Sequence, residues 1–263
     1  VAKIEGVARK VEGVEEIRVS IATGTMSLRT ANGGALTRVE DAVEAMGYRL
    51  NRLDLRRTDS DGSPAPSHVT PAYKRALWTV VVLNVGYGAV EFTGGLLADS
   101  QALKADALDF FGDGFITLLG LVAVGWSLAW RARSALLQGL FLGALGFGVL
   151  MSTGYQLLVG GEPEAGLMGG FAFVALIVNL AAAAVLVPHR TGDANARAVW
   201  LFSRNDAIGN VAVIGAAGLV AWTGTAWPDY AVALVMAGLF INSAWSIVRD
   251  ARRDLEDGQA VRA

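Results

Sequence analysis

The chain has 263 residues, of which 53% are hydrophobic and 17% charged, with a formal net charge of −2 and a mean hydropathy of +0.44. That balance is the composition of a membrane protein and gathers no basic face, so no nucleic-acid partner is expected. The lack of cysteine excludes disulfides and thiolate metal sites within this stretch.

Residues 1–53 read as a small soluble domain. Val1–Val11 places Ile4, Val7, Ala8 and Val11 on one helical face. Val14–Ala22 alternates apolar and polar residues, as a half-buried strand does. A turn at Thr23-Gly24 leads to a second strand, Thr25–Thr30, with Met26 and Leu28 inward. Leu36–Met46 is a second amphipathic helix stopped by Gly47, and Tyr48–Leu53 closes as a strand. The order αββαβ is that of an α+β ferredoxin-like sandwich lacking its first strand, with an open edge where that strand belongs. Residues 54–72 are almost without apolar side chains, hold three of the six prolines and read as a flexible linker.

Residues 73–250 hold six apolar stretches near the roughly 20 residues needed to cross a bilayer: 74–97, 102–130, 134–159, 167–187, 198–223 and 228–248. The fold class is therefore a polytopic α-helical membrane protein with six transmembrane helices, followed by a short tail at 251–263. Lys74, Arg75, Arg131, Arg133, Arg190, Arg197, Arg249, Arg252 and Arg253 fall at one end of these stretches. Asp99, Glu162, Glu164 and Asp229 fall at the other, where Lys104 is the sole basic residue. The positive-inside rule then puts both termini in the cytoplasm, and a bacterial inner membrane is the expected location.

The second stretch carries Asp106, Asp109 and Asp113, and the fifth carries Asp206. A carboxylate near the bilayer centre costs about 2.5–3.5 kcal/mol on insertion scales, so these groups must pair, neutralise or hold an ion. Asp106, Asp109 and Asp113 follow the spacing i, i+3, i+7, which lies on one helical face; Ser203, Asp206 and Asn210 repeat it. Two such stripes in contact bring together the oxygen donors that hard and borderline divalent cations take. The plainer alternative is a structural network in which Lys104 and Arg204 neutralise the acids, Asp106 above all, with Glu91 of the first stretch joining in. Two basic groups do not balance every acid present.

These residues resemble a known family. The run SQALKADALDFFGD (Ser100–Asp113) resembles the second transmembrane helix of the cation diffusion facilitators, and SRNDAIGNVAVI (Ser203–Ile214) resembles the fifth. The approach GG-x-x-A-x-S-x-A-L (Gly94–Leu103) fits as well, and the resemblance covers about residues 74–250. It implies that Asp109, Asp113 and Asp206 bind metal, that Asp106 holds an upstream acidic position, and that the activity is proton-coupled export of a divalent cation, with no enzymatic activity and no organic cofactor. One departure stands out. The family position four residues before Asp206 is usually His or Asp, and here it is Phe202. A fourth ligand then comes from Ser203, Asn205, Asn210 or water. Without imidazole the site is harder than a typical zinc site, which makes cobalt, manganese, nickel or iron(II) credible beside zinc.

The family's usual cytoplasmic C-terminal domain is not in this stretch, so dimerisation through it is not expected. Gly139, Gly143 and Gly146 share a small-xxx-small face that fits either an internal helix contact or a homodimer. Gly112 and Gly209 stand beside the acids, where they could bring the two ligand helices close. Asn84 and Asn179 read as interhelical contacts, and His68 and His189 as solvated loop residues. Residues 1–30 resemble a heavy-metal-associated domain whose C-x-x-C pair would precede the first residue; either a preceding segment is missing, as the Val start suggests, or this version lacks the cysteines. The rival readings are a non-transporting metal-sensing module and an intramembrane aspartyl protease. The protease carries G-x-G-D around one aspartate, where this chain has Phe110-Phe111-Gly112-Asp113.

Overall fold

The structure is a computed structural model that describes residues 2–20, 25–31, 33–46, 50, 71–122, 128–187 and 194–260, with side chains described at 4–20, 25–31, 33–46, 50, 71–122, 129–187 and 206–256. Along the chain come α1 (Ala2–Ala8), β1 (Val14–Ser20), β2 (Thr25–Thr30) and α2 (Gly33–Glu44). Six long helices follow: α3 (Pro71–Leu97), α4 (Gln101–Val122), α5 (Leu128–Val159), α6 (Ala165–Leu186), α7 (Ala194–Thr223) and α8 (Trp227–Ala260).

In the small domain β1 and β2 pair antiparallel, with Ile17 opposite Leu28 and Val19 opposite Met26, and a bulge between Val14 and Glu16. Ala8, Ile17, Val39 and Val43 form its core, with Ile4, Met26, Leu28 and Leu50 against them. The expected helices and first two strands are present: α1 is shorter than expected, β2 keeps its expected bounds, and α2 begins three residues earlier and ends two earlier. The Thr23-Gly24 turn, the third strand apart from Leu50, residues 54–70 of the expected linker, His68 and His189 lie outside the described residues, and the linker's last two expected residues, Pro71 and Ala72, instead open α3.

The long helices turn apolar side chains outward. Leu158 is 87% and Trp222 84% exposed, a surface suited to lipid rather than water. Five of the six have the length and hydropathy to cross a membrane. Only α4 does not meet that measure, because Lys104, Asp106, Asp109 and Asp113 fall within its 22 residues. At 1.5 Å per residue it still reaches about 33 Å, the depth of a hydrocarbon core.

Two boundaries differ from expectation. Helix α4 is described as far as Val122, and Leu128–Trp130, expected at the end of the second stretch, open the next helix, so Arg131 and Arg133 lie in the first turns of α5 rather than in a loop. Helix α8 continues to Ala260 through the expected tail. Its 34 residues measure about 51 Å, well beyond a bilayer core, and the surplus meets the small domain. There Arg18 Nη2 lies 2.8 Å from Asp254 Oδ1 and donates to the Asp250 carbonyl at 3.3 Å, and the Ser20 hydroxyl donates to Asp254 Oδ2.

Packing sorts the bundle into two groups. Helix α5 lies along α8, while α3 packs on α4 and α6, and α6 on α7; α4 also touches α5, α8 and α7. The α5 glycines explain the first pairing. A Cβ at Gly139 would stand 2.7 Å from Val248 Cγ2, one at Gly146 2.8 Å from Phe240 Cβ, and one at Gly143 3.4 Å from Ala244 Cβ. The small-residue face is thus an internal seam with α8.

Candidate metal site

Helix α4 turns its acidic stripe inward. Asp106 is buried, whereas Asp109 and Asp113 are half-buried. Opposite, α7 presents Asp206 and, one turn on, the fully buried Asn210. The carboxyl groups of Asp113 and Asp206 meet across the α4–α7 contact within hydrogen-bonding reach. Asp206 Oδ2 and both amide atoms of Asn210 have no hydrogen-bond donor or acceptor among the described residues.

A second pair lies beside the first. Glu91 of α3 is fully buried, and its carboxyl reaches that of Asp106. Neither Glu91 oxygen nor Asp106 Oδ2 meets a donor among the described residues. Close approach of α3 and α4 permits this meeting: a Cβ on Gly88 would lie 3.1 Å from Phe110 Cβ, and one on Gly114 2.6 Å from Val85 Cγ2. One turn before Glu91, Tyr87 donates its hydroxyl to the Phe171 carbonyl at 2.6 Å and ties α3 to α6.

The acids therefore stand as two facing pairs, with Asp109 between them in sequence. Among the described residues no three His, Cys, Asp or Glu side chains gather closely enough to hold a metal ion. Ser203, Arg204, Asn205 and Phe202 belong to the helical backbone of α7, but their side chains lie outside the described residues.

Three expectations need correction. Lys104 does not neutralise Asp106; its ammonium lies 3.5 Å from Asp99 Oδ1 at the end of the helix. Residues two apart on a helix point to opposite sides, so the sequence neighbour is the wrong partner. Gly112 faces Leu142 of α5 at 3.6 Å, and Gly209 has nothing within 4 Å of its would-be Cβ. Neither brings α4 and α7 together; Gly88 and Gly114 do the comparable work between α4 and α3. Asn84 and Asn179 are both buried inside the bundle.

A polar cluster at the end of the bundle away from the small domain was not legible in the sequence. Asp229, in the first turn of α8, is fully buried and accepts from Ser100 Oγ at 2.6 Å, Gln101 N at 2.8 Å and Ala102 N at 3.0 Å. Ser152 of α5 donates to Gln101 Oε1 at 2.7 Å, and the Gln156 amide donates to Asp99. Ser100 before an apolar helix is a readable cap, and it does accept from Leu103 N at 3.0 Å. Its partner 129 residues away is not a local signal.

With this geometry in hand, the chain is similar to known proteins over its bundle. A family model described as the cation efflux transmembrane domain matches residues 77–255. The metal cation efflux system protein CzcD of Cupriavidus metallidurans is 26% identical over 199 residues, covering 70% of this chain and 62% of CzcD. The zinc transporter ZitB of Escherichia coli is 27% identical over 194 residues, 68% of this chain and 61% of ZitB. A cadmium, cobalt and zinc/H(+)-K(+) antiporter of Bacillus subtilis is 24% identical over 208 residues, 73% of this chain and 66% of that protein. The matches thus span less than two thirds of the length of these relatives.

Proposed function

The chain belongs to the cation efflux family, and from that premise we propose that it carries a divalent transition-metal cation out of the cell in exchange for protons. The observation behind this reading is the meeting of Asp113 on α4 with Asp206 on α7, with the unpartnered amide of Asn210 one turn along. Two carboxyls that hydrogen-bond share a proton, because an ionised carboxylate only accepts. A dication needs deprotonated ligands and displaces that proton. Asp109, one turn from Asp113 on the same stripe, joins as a third carboxylate by a change of rotamer; Asn210, Ser203, Asn205 or water completes the shell. Alternate opening to the two sides turns competition between metal and proton into exchange. Asp106 with Glu91, and Arg204, form a supporting proton network, while Lys104, held by Asp99, stands apart from it.

An oxygen-rich site without imidazole suits cobalt, manganese, nickel or iron(II) better than it suits zinc, which favours nitrogen and sulfur. The relatives are named for zinc, cobalt and cadmium, so zinc and cobalt lead the metals to test. Cytoplasmic termini follow the excess of basic residues at one end of the helices, and a bacterial inner membrane fits the bacterial relatives. Contact between the small domain and the C-terminal turns of α8 supports both termini lying on one side. The test is flux in proteoliposomes loaded with a pH dye and challenged in turn with zinc, cobalt, manganese, nickel and iron(II). Proton movement with at least one metal is expected, falling to the protein-free level in Asp113→Ala and in Asp206→Ala while both insert normally. Full transport by either variant would remove the proposed site. Metal binding without flux would instead indicate a metal-sensing membrane module. Membership in a family of cation efflux proteins leaves the protease reading unsupported.

A further inference from the structure

We propose that Asp229 is a positioning residue for transport: from the first turn of α8 it holds the start of α4, and so sets where Asp106, Asp109 and Asp113 stand relative to α7. This rests on the carrier reading above and concerns a residue outside the acid pairs. The first N–H groups of a helix have no partner within it. In α4 the Ser100 hydroxyl serves Leu103 N, and Asp229 takes Gln101 N, Ala102 N and the Ser100 hydroxyl itself. A carboxylate at a helix N-terminus is stabilised by the exposed N–H groups, and bonds with an ionised partner are the strong ones. Burial of Asp229 leaves it no competing water.

The place of this contact matters as much as its strength. Helix α8 travels with α5, and α4 packs chiefly on α3; the Asp229 bonds therefore join the two helix groups. Ser152 to Gln101 and Gln156 to Asp99 add α5 to the same end. Burial along α4 follows the grip. From Gln101 to Ala107 every residue but Lys104 is buried, whereas from Phe111 to Val122 only Gly112, Gly114 and Thr117 are. The helix is held at one end and looser at the other. Asp113 sits twelve residues from Gln101, about 18 Å down the axis, so a small tilt at the anchor becomes a larger displacement at the ligand. Loss of the anchor misaligns α4 carboxylates with Asp206 and weakens metal capture without removing a ligand.

The experiment is the rate of cobalt and zinc uptake against metal concentration in proteoliposomes, for the wild type, Asp229→Ala, Asp229→Asn, Ser100→Ala, the Ser100→Ala/Asp229→Ala double variant and Asp113→Ala. The expected result for Asp229→Ala is a half-saturating concentration raised about tenfold, with a maximal rate within about twofold of wild type. Asp229→Asn, whose amide oxygen still accepts, should fall between. The double variant should fall short of the sum of the two single effects, because the Ser100–Asp229 bond is common to both, while the Ser100 bond to Leu103 N is lost only with Ser100. A merely structural role would lower the maximal rate through lost protein and leave half-saturation unmoved; that result, or wild-type kinetics in Asp229→Ala, overturns the proposal. If the wild type transports, Asp113→Ala is inactive and Asp229→Ala is unaltered, this inference alone fails. A wild type that moves neither metal overturns it together with the reading beneath it.

Discussion

Glu91 is completely buried on α3, where it faces the carboxyl of Asp106, and neither of its oxygens bonds to a base among the described residues. An unneutralised acid at that depth is costly unless the two groups hold a proton between them. Glu91→Gln supplies an amide donor in the same place and removes the exchangeable proton. The variant should insert normally and bind metal, while the pH-dye signal per metal ion falls; a wild-type proton yield would exclude Glu91 from coupling. The acidic stripe itself was readable, because its spacing depends only on helix period. Its pairings were not. Asp106 meets an acid on another helix, and Lys104 turns to Asp99, both decided by how helices face one another.

Helices α5 and α8 show what a seam of glycines does. Gly146 approaches not only Phe240 Cβ but also the Ala237 carbonyl, 3.2 Å from a would-be Cβ, so a larger residue meets backbone that has little room to yield. Gly146→Leu should destabilise the protein by about 1–3 kcal/mol, the usual range for overpacking. Gly148→Leu on the same helix should leave it unchanged, since nothing lies within 4 Å of that position. Thermal unfolding in detergent compares the two, and equal midpoints would remove the seam as a stabilising feature. The spacing of Gly139, Gly143 and Gly146 announced a close contact in advance; it did not say with which helix. Helix ends were legible to within a few residues except between α4 and α5, where hydropathy runs on into Leu128–Trp130 of the next helix, and at the end of α8, which continues to Ala260.

For the whole molecule, the main unforeseen contact is the docking of the small domain on α8. Arg18 and Ser20 both reach Asp254, and the ion pair is partly sheltered from water, so salt screens it less than an exposed pair. Arg18→Glu should free the domain, and Arg18→Glu combined with Asp254→Arg should restore contact. Because the chain has no cysteine, labels placed by Glu44→Cys and Glu256→Cys are unique, and energy transfer between them reads the separation. Unchanged transfer in Arg18→Glu would show that other contacts hold the domain.

The same helix that receives the domain at Asp254 grips the start of α4 at Asp229, and it is unbroken between them. Twenty-five residues separate the two aspartates, about 38 Å of axis at helical rise. Such a segment behaves as a connecting rod: it resists stretching, so a pull on one end arrives at the other with little loss. Load placed on the small domain is thereby delivered to the hinge of the helix that bears three of the acids, through mechanics alone and without any contact between the domain and those acids.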